Sequence, residues 1–289
     1  AEISEKEKQH ILKIFGIDFD EKTVRVARTL NLIAGDGETN VLHLNALDYE
    51  RWVDKTGDKE RNIKADTKWI NTYGKGFERL EKLRAEKGSN KCFNFDILMA
   101  NPPFAGDIKE SRILHQYELG FNANRKAQSK VGRDILFIER NLDFLKPGGR
   151  MAIVLPQGRF NNTSDKPIRD FIAQHGRILA VVGLHGNTFK PHTGTKTSVL
   201  FVQKWDDKLN PKVEDYPIFF AVSEKGGKDN SGDYRYVKND SGQDKLDQNG
   251  HLIVDHDLHN HNGELSDGIA EAFIEWAKSE KLSFWKSGK

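Results

Sequence analysis

The sequence has a single cysteine, Cys92, among 289 residues. One thiol can form neither an internal disulfide nor a zinc site of several cysteines, and it fits a protein of the reducing cytosol. No apolar run approaches the ~18 residues of a membrane span, and no charged-then-apolar signal segment opens the chain. These absences argue against disulfide-stapled, cysteine-rich zinc and membrane proteins, and we expect a cytoplasmic protein.

The composition is that of a globular protein with unevenly distributed charge. Hydrophobic residues make up 37% of the chain and charged residues 30%, which suits one α/β domain with or without an appendage. The net charge of +2 combines +8 over residues 1–204 with −6 over residues 205–289. We therefore predict a basic body, 1–204, and an acidic C-terminal extension, 205–289. The body suits a nucleic-acid surface, although ordinary solvated faces would explain the same modest excess.

The stretch from Phe95 to Phe104 carries the strongest signal for chemistry. An apolar run of strand length ends in Asn101-Pro102-Pro103-Phe104, and neither proline can donate a hydrogen bond to a sheet. Open α/β sheets bind ligands at this carboxyl edge. The Asn101 side chain and the Pro102 carbonyl offer two acceptors, and Phe104 offers a flat apolar face. These groups suit a planar ring with an exocyclic amino group, such as adenine or cytosine; the alternative is a simple turn after a buried strand.

Two further strand ends precede this stretch. Residues 11–17 predict a buried strand with Asp18 at its carboxyl end, and residues 21–32 predict an amphipathic helix. A carboxylate in that position can accept hydrogen bonds from both hydroxyls of a nucleotide ribose, but it more often serves as a helix N-cap. Residues 41–44 predict another short strand, which ends at Asn45.

The middle of the chain predicts mainly architecture. Residues 54–90 predict helices that cover the sheet, with a break at Gly74-Lys75-Gly76. Residues 105–133 form a loop-rich stretch with six basic and three acidic side chains. We interpret that stretch either as a grip on the substrate backbone or as an exposed mobile loop. Residues 134–145 predict an amphipathic helix that Lys146-Pro147-Gly148-Gly149 stops, and a buried strand follows at 151–156.

The extension predicts short strands, such as 216–222, and a terminal helix near 265–280. Ile269, Phe273 and Trp276 share one apolar face of that helix, which must pack on the body or on another chain. A histidine- and aspartate-rich stretch precedes the helix. Its members are unevenly spaced, so we interpret them as solvated or capping groups and not as a metal site: His251, Asp255, His256, Asp257, His259 and His261.

Several motifs in a fixed order resemble one family. Asn-Pro-Pro-Phe at 101–104 is the motif of S-adenosylmethionine-dependent amino-methyltransferases. Gly16-Ile17-Asp18 and the motifs downstream make residues 11–204 similar to the DNA methylase (M) subunits of type I restriction–modification systems, an N6-adenine DNA methyltransferase family. The downstream motifs are Leu-Lys-Pro-Gly-Gly-Arg-Met-Ala-Ile-Val-Leu-Pro-Gln-Gly at 145–158, Pro167-Ile168-Arg169, Phe189, Thr193-Gly194-Thr195-Lys196-Thr197 and the strand 199–204.

The resemblance implies a class I S-adenosylmethionine-dependent methyltransferase fold. This fold is a Rossmann-like α/β sheet that ends in an antiparallel strand pair, and here a small α+β tail follows. The family's first strand and glycine-rich loop should lie upstream of Gly16, but no glycine precedes it. We therefore expect residues 1–204 to be a partial methyltransferase catalytic domain that lacks both features, and residues 205–289 to pack on it or to dock a partner.

The resemblance also assigns site residues. The catalytic residues that it implies are Asn101, Pro102, Pro103 and Phe104, and we expect no metal. The residues that bind the cofactor, S-adenosyl-L-methionine, are Asp18 on the ribose together with Phe19, Asn45, Ala46 and Asn101. The family usually has aspartate where this chain has Asn45, and an asparagine accepts a hydrogen bond without charge assistance. Asp48 is the second candidate for that contact.

The function implied is site-specific adenine-N6 methylation of double-stranded DNA in a type I-like system. The expected partners are a specificity subunit, which selects the target, and a restriction subunit of the same system. Two alternatives stay open. One is an amino-methyltransferase that acts on RNA or on protein glutamine. DNA adenine is favoured over these substrates by phenylalanine instead of tyrosine at 104 and by the long downstream match. The other is a non-catalytic scaffold fragment.

Overall fold

The computed structural model describes residues 14–35, 40–48, 67–86, 93–265, 268–282 and 284. These residues belong to two compact units, Ala1–Phe93 and Asn94–Lys289, and each unit is described by itself. Within the described ranges, no helix is both long enough and apolar enough to cross a membrane.

The first unit is built on two short parallel strands. β1 (Gly16–Asp18) pairs with β2 (Val41–His43), and Asp18 lies opposite His43. β1 agrees with the end of the strand predicted over 11–17 but extends one residue further, to Asp18. Residues 14–15 lie before the strand, and residues 11–13 lie outside the described residues. The strand predicted over 41–44 is confirmed, and it ends one residue earlier.

Helix α1 (Glu21–Ile33) connects the two strands and confirms the helix predicted over 21–32. It begins at Asp20, whose carboxylate accepts hydrogen bonds from the backbone N–H groups of Lys22 (3.2 Å) and Thr23 (3.4 Å). The N-cap of this helix is therefore Asp20 and not Asp18. Asp18 therefore does not have the N-cap role that was the alternative to a ribose contact.

Helix α2 (Thr67–Glu86) runs unbroken through Gly74 and Gly76, so the predicted break at these glycines is wrong. The physical reason is packing. A Cβ atom on Gly76 would lie 2.2 Å from the carbonyl oxygen of His43 in β2. Glycine at this position lets the helix approach the strand closely.

The second unit contains a five-stranded mixed sheet and a separate two-stranded sheet. Its strands are β3 (Phe95–Ala100), β4 (Asp107–Ile108), β5 (Val131–Gly132), β6 (Leu145–Pro156), β7 (Gly176–Gly183), β8 (Thr197–Lys204) and β9 (Phe219–Val222). The large sheet has the order β3-β6-β8-β7-β9, and β4 pairs with β5. β8 is antiparallel to both of its neighbours, whereas the β3–β6 and β7–β9 pairs are parallel. The predicted α/β fold with a final antiparallel pair is confirmed.

Helices cover this sheet. They are α3 (Ser111–Leu114), α4 (Arg133–Phe144), α5 (Gly158–Asn161), α6 (Lys166–His175) and α7 (Ile269–Ser279). Apolar side chains of α4 and α6 pack with β6 and β8 in one buried cluster, which includes Ile138, Leu142, Ile153, Phe171 and Val202. This core holds the carboxyl ends of the strands in place, where the candidate site lies.

The connection between α4 and β6 differs in detail from the prediction. The helix ends at Phe144, close to the predicted stop. The strand, however, begins directly at Leu145 and contains the residues that were expected to form only a turn. The register along β3 jumps from Phe95 opposite Leu145 to Ile97 opposite Arg150, so residues 146–149 form a bulge. Gly148 supplies a left-handed conformation there, with φ +74°.

The acidic extension shares the sheet of the body. Its strand β9 pairs with β7, and helix α7 covers that pair. The ring of Phe273 stacks on Phe201 at 6.3 Å between centroids and meets Phe219 edge-on at 5.5 Å. The apolar face of the terminal helix therefore packs on the body. β9 lies in the predicted extension 205–289 and pairs with β7 of the predicted domain 1–204, so one sheet includes strands from both sides of residue 204.

Between β9 and α7 the chain forms a ladder of short hairpins. Antiparallel bridges join Gly226 to His256 and Tyr236 to Val254. Asp229, Asn239 and Asp247 each accept backbone N–H hydrogen bonds from the residues that turn the chain after them. Such side-chain acceptors stabilise tight turns. The sequence predicted short strands in the extension but not this ladder.

Candidate active site

The Asn-Pro-Pro-Phe segment lies where the sequence placed it. β3 ends at Ala100, so Asn101 follows at the carboxyl edge of the large sheet. Asn101 is exposed, Pro102 is buried and Phe104 is half-buried. A buried proline anchors the segment, while the amide of Asn101 remains accessible to a ligand.

A second aromatic ring lies beside Phe104. Phe189, in the connection between β7 and β8, meets Phe104 edge-on, with ring centroids 5.3 Å apart and an interplanar angle of 76°. In the sequence, Phe189 belongs to the motifs that carry the family resemblance, which assigns it no role in the site. The feature that could have indicated such a role is its position: Phe189 follows β7, and the carboxyl end of β7 lies at the same sheet edge as the end of β3.

The turn that carries Phe189 is fastened to the extension. The side chain of Asn187 donates to the Lys228 carbonyl (3.2 Å), and the Lys228 ammonium donates to the Lys190 carbonyl (3.0 Å). The Thr188 hydroxyl donates to the His185 carbonyl (2.8 Å) within the turn itself. The extension thus helps to position a residue of the candidate site.

A charged triad braces the same edge of the sheet. Arg159, in α5 directly after β6, binds the buried carboxylate of Asp134 through two nitrogens, at 2.7 and 3.1 Å, and binds Asp165 at 3.1 Å. Burial lowers the pKa of Arg159, but both carboxylates raise it, and the net shift is upward. The triad joins the first turn of α4 to α5 and to the start of α6.

The basic stretch 105–133 is folded and is not simply a loop. Ile113, Leu114 and Tyr117 are buried within it. The Glu139 carboxylate of α4 accepts hydrogen bonds from the backbone N–H groups of Glu118 (2.8 Å) and Leu119 (2.9 Å). Burial raises the pKa of Glu139, against these two hydrogen bonds, which lower it. This contact makes α4 the support on which the basic stretch rests.

A polar cleft of about 870 Å³ opens at the carboxyl ends of β7 and β9. Cationic and anionic side chains both line it. Its cations are Lys196, Lys225, Lys228 and Arg235, and its acids are Glu224, Asp229 and Asp255. Asn187, two residues before Phe189, also lines the cleft.

The predicted cofactor residues of the first unit lie at the carboxyl ends of β1 and β2. Asp18 is half-buried, and its Oδ1 accepts a hydrogen bond from the Asp20 N–H (2.7 Å). The Asp18 carbonyl accepts from the Leu44 N–H (3.0 Å), which brings the segment with Asn45 alongside. The Asn45 side chain accepts from the Leu47 N–H at 3.1 Å.

These residues fit a nucleoside. Among the described residues, Oδ1 of Asp18 accepts a hydrogen bond from the Asp20 N–H, and no hydrogen bond to Oδ2 is seen. Phe19 is 55% exposed, and Ala46 offers a small side chain next to Asn45. Asp48, the second candidate, is buried. Asn101, the remaining predicted cofactor residue, belongs to the second unit.

The structure brings together three of the histidines that the sequence presented as scattered. The rings of His256, His259 and His261 lie with centroids 4.4 to 4.7 Å apart. Burial lowers the pKa of His256 and His261, and the neighbouring rings lower it further.

Comparison with known proteins places this geometry in a family. The model of the N-6 DNA methylase family matches residues 2–251. The chain is 29% identical over 110 residues to the type I restriction enzyme EcoEI methylase subunit of Escherichia coli, which covers 38% of this chain and 21% of that protein. It is 21% identical over 113 residues to the type II restriction enzyme and methyltransferase RM.Eco57I of Escherichia coli, over 39% and 11% of the two lengths.

A solved structure shares the fold. It is a nuclease-deletion mutant of the Type ISP restriction–modification enzyme LlaGI in complex with a DNA substrate mimic. The TM-score is 0.51 at 12% identity, over 76% of this chain and 22% of that one. The chain thus spans about a fifth or less of each of these relatives. The predicted resemblance to type I methylase subunits is confirmed.

Proposed function

Since the chain belongs to the N-6 DNA methylase family, we propose that it carries the methyl-transfer site of a DNA adenine-N6 methyltransferase of a type I-like restriction–modification system. The observation that carries the proposal is the aromatic pair beside Asn101: Phe104 and Phe189, with centroids 5.3 Å apart, at the carboxyl end of β3. Two rings and an accessible amide form a receptor for one planar base with an amino group.

The target adenine reaches this receptor by leaving the duplex. Base flipping costs on the order of a few kcal/mol. Stacking of the base on Phe104 stabilises the flipped state by about 1–3 kcal/mol, the value for other base–aromatic contacts. Phe189 lies edge-on to Phe104 and borders the same space.

Asn101 and Pro102 orient the amino group. The Asn101 side-chain oxygen and the Pro102 carbonyl accept its two hydrogens, which localises the lone pair of the amino nitrogen for attack. No covalent intermediate with the protein is needed. The contribution of the chain is orientation and electrostatic stabilisation.

Asp18, Phe19, Asn45 and Ala46 would hold the adenosine half of S-adenosyl-L-methionine, with Asp18 on the ribose hydroxyls and Asn45 on the adenine amino group. When bound, the cofactor supplies an electrophilic methyl group. The support for this assignment is the half-buried Asp18 carboxylate, which the capping role of Asp20 leaves available.

DNA would be gripped mainly by its phosphates. Residues 1–204 carry a net charge of +8, and the cleft at the carboxyl ends of β7 and β9 offers cationic side chains, among them Lys196, beside its acidic ones. We therefore propose that the chain alone binds double-stranded DNA weakly, with little sequence preference and steep salt sensitivity. Site selection then requires a specificity subunit. Tight, sequence-selective binding by the isolated chain would contradict this partner assignment.

The test of the methyl-transfer site is Asn101→Ala in the assembled enzyme that contains this chain. We expect methyl transfer to a cognate duplex to be abolished and cofactor binding to stay nearly unchanged. Near-normal turnover of the variant would contradict the assignment of Asn101.

The substrate class needs parallel assays. The same enzyme is given DNA, RNA and protein substrates with radiolabelled cofactor, and the labelled product is identified. Labelling of adenine N6 in DNA supports the proposal, whereas labelling of RNA or of glutamine supports the other amino-methyltransferase activity. Calorimetric titration of S-adenosyl-L-methionine into this chain separates both from a non-catalytic scaffold, for which no binding is expected.

A further inference from the structure

Three imidazole rings meet at the base of the hairpin ladder. One ring nitrogen from each of His256, His259 and His261 can be chosen so that all three lie within 4.8 Å of one another. His256 is joined to the ladder by its bridge to Gly226, whereas His259 and His261 belong to the turn that precedes α7. The cluster therefore connects two separate parts of the extension.

The backbone around the cluster is held from both sides. The Asp257 carboxylate accepts hydrogen bonds from the Ser223 hydroxyl (2.5 Å) and the Glu224 N–H (2.7 Å) at the end of β9. On the other side, Glu271 of α7 accepts from the Asn260 N–H at 3.0 Å. A site that is fastened in this way needs little rearrangement to bind a ligand.

The backbone of His261 has an unusual conformation. Its φ is +51° and that of Asn262 is +60°, both in the left-handed region that L-residues seldom adopt. This backbone turns the ring of His261 towards His256 and His259. The energetic cost of a left-handed histidine indicates that the surrounding structure specifies this placement.

The nitrogens of His261 suit a metal ion. Nε2 of His261 is buried and has no hydrogen-bond partner among the described residues. A buried imidazole nitrogen without a partner is suited to bind an ion, because burying a polar atom without a hydrogen bond is costly.

The other two rings must exchange a hydrogen bond for the ion. Nδ1 of His256 accepts from the Leu258 N–H (3.2 Å), and Nδ1 of His259 accepts from the His261 N–H (3.0 Å). Metal binding replaces these two neutral hydrogen bonds, each of which is worth far less than a metal–imidazole bond. The charge nearby favours a cation, since the carboxylates of Asp255 and Asp257 act on His256, and those of Asp247 and Glu271 act on His261.

We propose that His256, His259 and His261 bind a single divalent transition-metal ion, Zn²⁺ in preference to Mg²⁺ or Ca²⁺. Imidazole suits Zn²⁺, whereas the two hard cations take oxygen ligands. Tetrahedral Zn²⁺ at ~2.1 Å from each nitrogen requires nitrogens about 3.4 Å apart, so the rings close slightly on binding and a water molecule completes the coordination. The ion joins the ladder to the turn before α7.

The experiment uses the whole chain, without a histidine tag and freed of metal by a chelator. Zn²⁺ is titrated by calorimetry, and Co²⁺ is titrated as a visible-absorption probe of nitrogen ligation. We expect one ion per chain and the absorption of tetrahedral Co²⁺. His259→Gln, which alters an exposed ring, should weaken Zn²⁺ binding at least about tenfold, and His261→Gln should weaken it similarly.

His251→Gln is the matched control. His251 lies in the same segment, is exposed and contacts Asp247, but it is outside the cluster. The His251→Gln variant should bind Zn²⁺ with the same affinity as the wild type. Circular dichroism of each metal-free variant shows whether the fold is retained. Unchanged affinity in both cluster variants, an equal loss in His251→Gln, or no saturable Zn²⁺ binding would each overturn the proposal.

Discussion

Phe104 and Phe189 meet edge-on, with 5.3 Å between their ring centroids. Phe104 follows the end of β3, and Phe189 lies in the connection between β7 and β8, which the extension fastens through Lys228. The two rings are thus supplied by distant parts of the second unit. In the proposed function one face of Phe104 stacks on the flipped base and the edge contact with Phe189 fixes the ring orientation.

The first prediction concerns these two rings. Phe104→Ala in the assembled enzyme should weaken binding of a duplex with an extrahelical target base by about 1–3 kcal/mol. Phe189→Ala should cost less, about 0.5–1.5 kcal/mol, because it removes only an edge contact. Fluorescence of 2-aminopurine at the target position measures both effects. Cofactor affinity, measured in parallel, should not change; a larger effect on the cofactor than on the base would contradict the assignment.

The aromatic pair also shows where sequence analysis succeeds and where it stops. The segment 101–104 could be predicted because its signal is local: an apolar run ends in two prolines at a sheet edge. Phe189 could not be assigned a role, because its contact with Phe104 depends on how distant connections converge. Similarly, the membership of β9 in the main sheet depends on a pairing with β7 that no local pattern contains.

The histidine-rich stretch and α2 differ from what their sequence patterns suggest, for physical reasons. The uneven spacing of the histidines gave no sign that His256, His259 and His261 meet, because the left-handed backbone at His261 and Asn262 bends the turn there. Gly74 and Gly76 were interpreted as a break because glycine disfavours helices. In the structure the requirement for close contact with β2 outweighs that intrinsic preference.

The second prediction separates two neighbouring aspartates. Asp18→Asn keeps an acceptor for the Asp20 N–H but removes the charge, and it should weaken S-adenosyl-L-methionine binding, by up to about 1.5–3 kcal/mol if the full charge-assisted bond is lost. Asp20→Asn retains an N-cap and should leave cofactor affinity unchanged. Calorimetric titration of both variants of the assembled enzyme makes the comparison. Equal affinities in the two variants would transfer the ribose contact to another residue.

The third prediction concerns pH and Glu139. The folded-state pKa of Glu139 lies above its ordinary value of 4.5 because of burial. Its stabilising contribution is therefore fully present below that value and is lost as pH rises through the folded-state pKa. Residue 139 cannot ionise in the Glu139→Gln variant. The free energy of unfolding of the variant, relative to that of the wild type, should therefore rise as the pH increases from below 4.5 through the folded-state pKa of Glu139.

Urea unfolding of both proteins across that pH range tests the prediction. The glutamine keeps one acceptor for the Glu118 or Leu119 N–H, as the protonated acid does, so the two proteins should be most alike at low pH. A shift in the opposite direction would mean that the two backbone hydrogen bonds outweigh desolvation, and that the pKa of Glu139 is lowered.

The last prediction compares two glycines of one helix. A Cβ on Gly76 would lie 2.2 Å from the His43 carbonyl oxygen, whereas a Cβ on Gly74 would meet only Ile70, at 3.4 Å. Gly76→Ala should therefore push α2 away from β2 and destabilise the first unit by about 1–3 kcal/mol. Gly74→Ala should stabilise it by about 0.8–1 kcal/mol, the helix-propensity difference between the two residues. Hydrogen exchange of the β2 amides reports the opening of this unit, and it should become faster in the first variant and slower in the second. If both substitutions slowed exchange, the close approach of helix and strand would not be the reason for glycine at position 76.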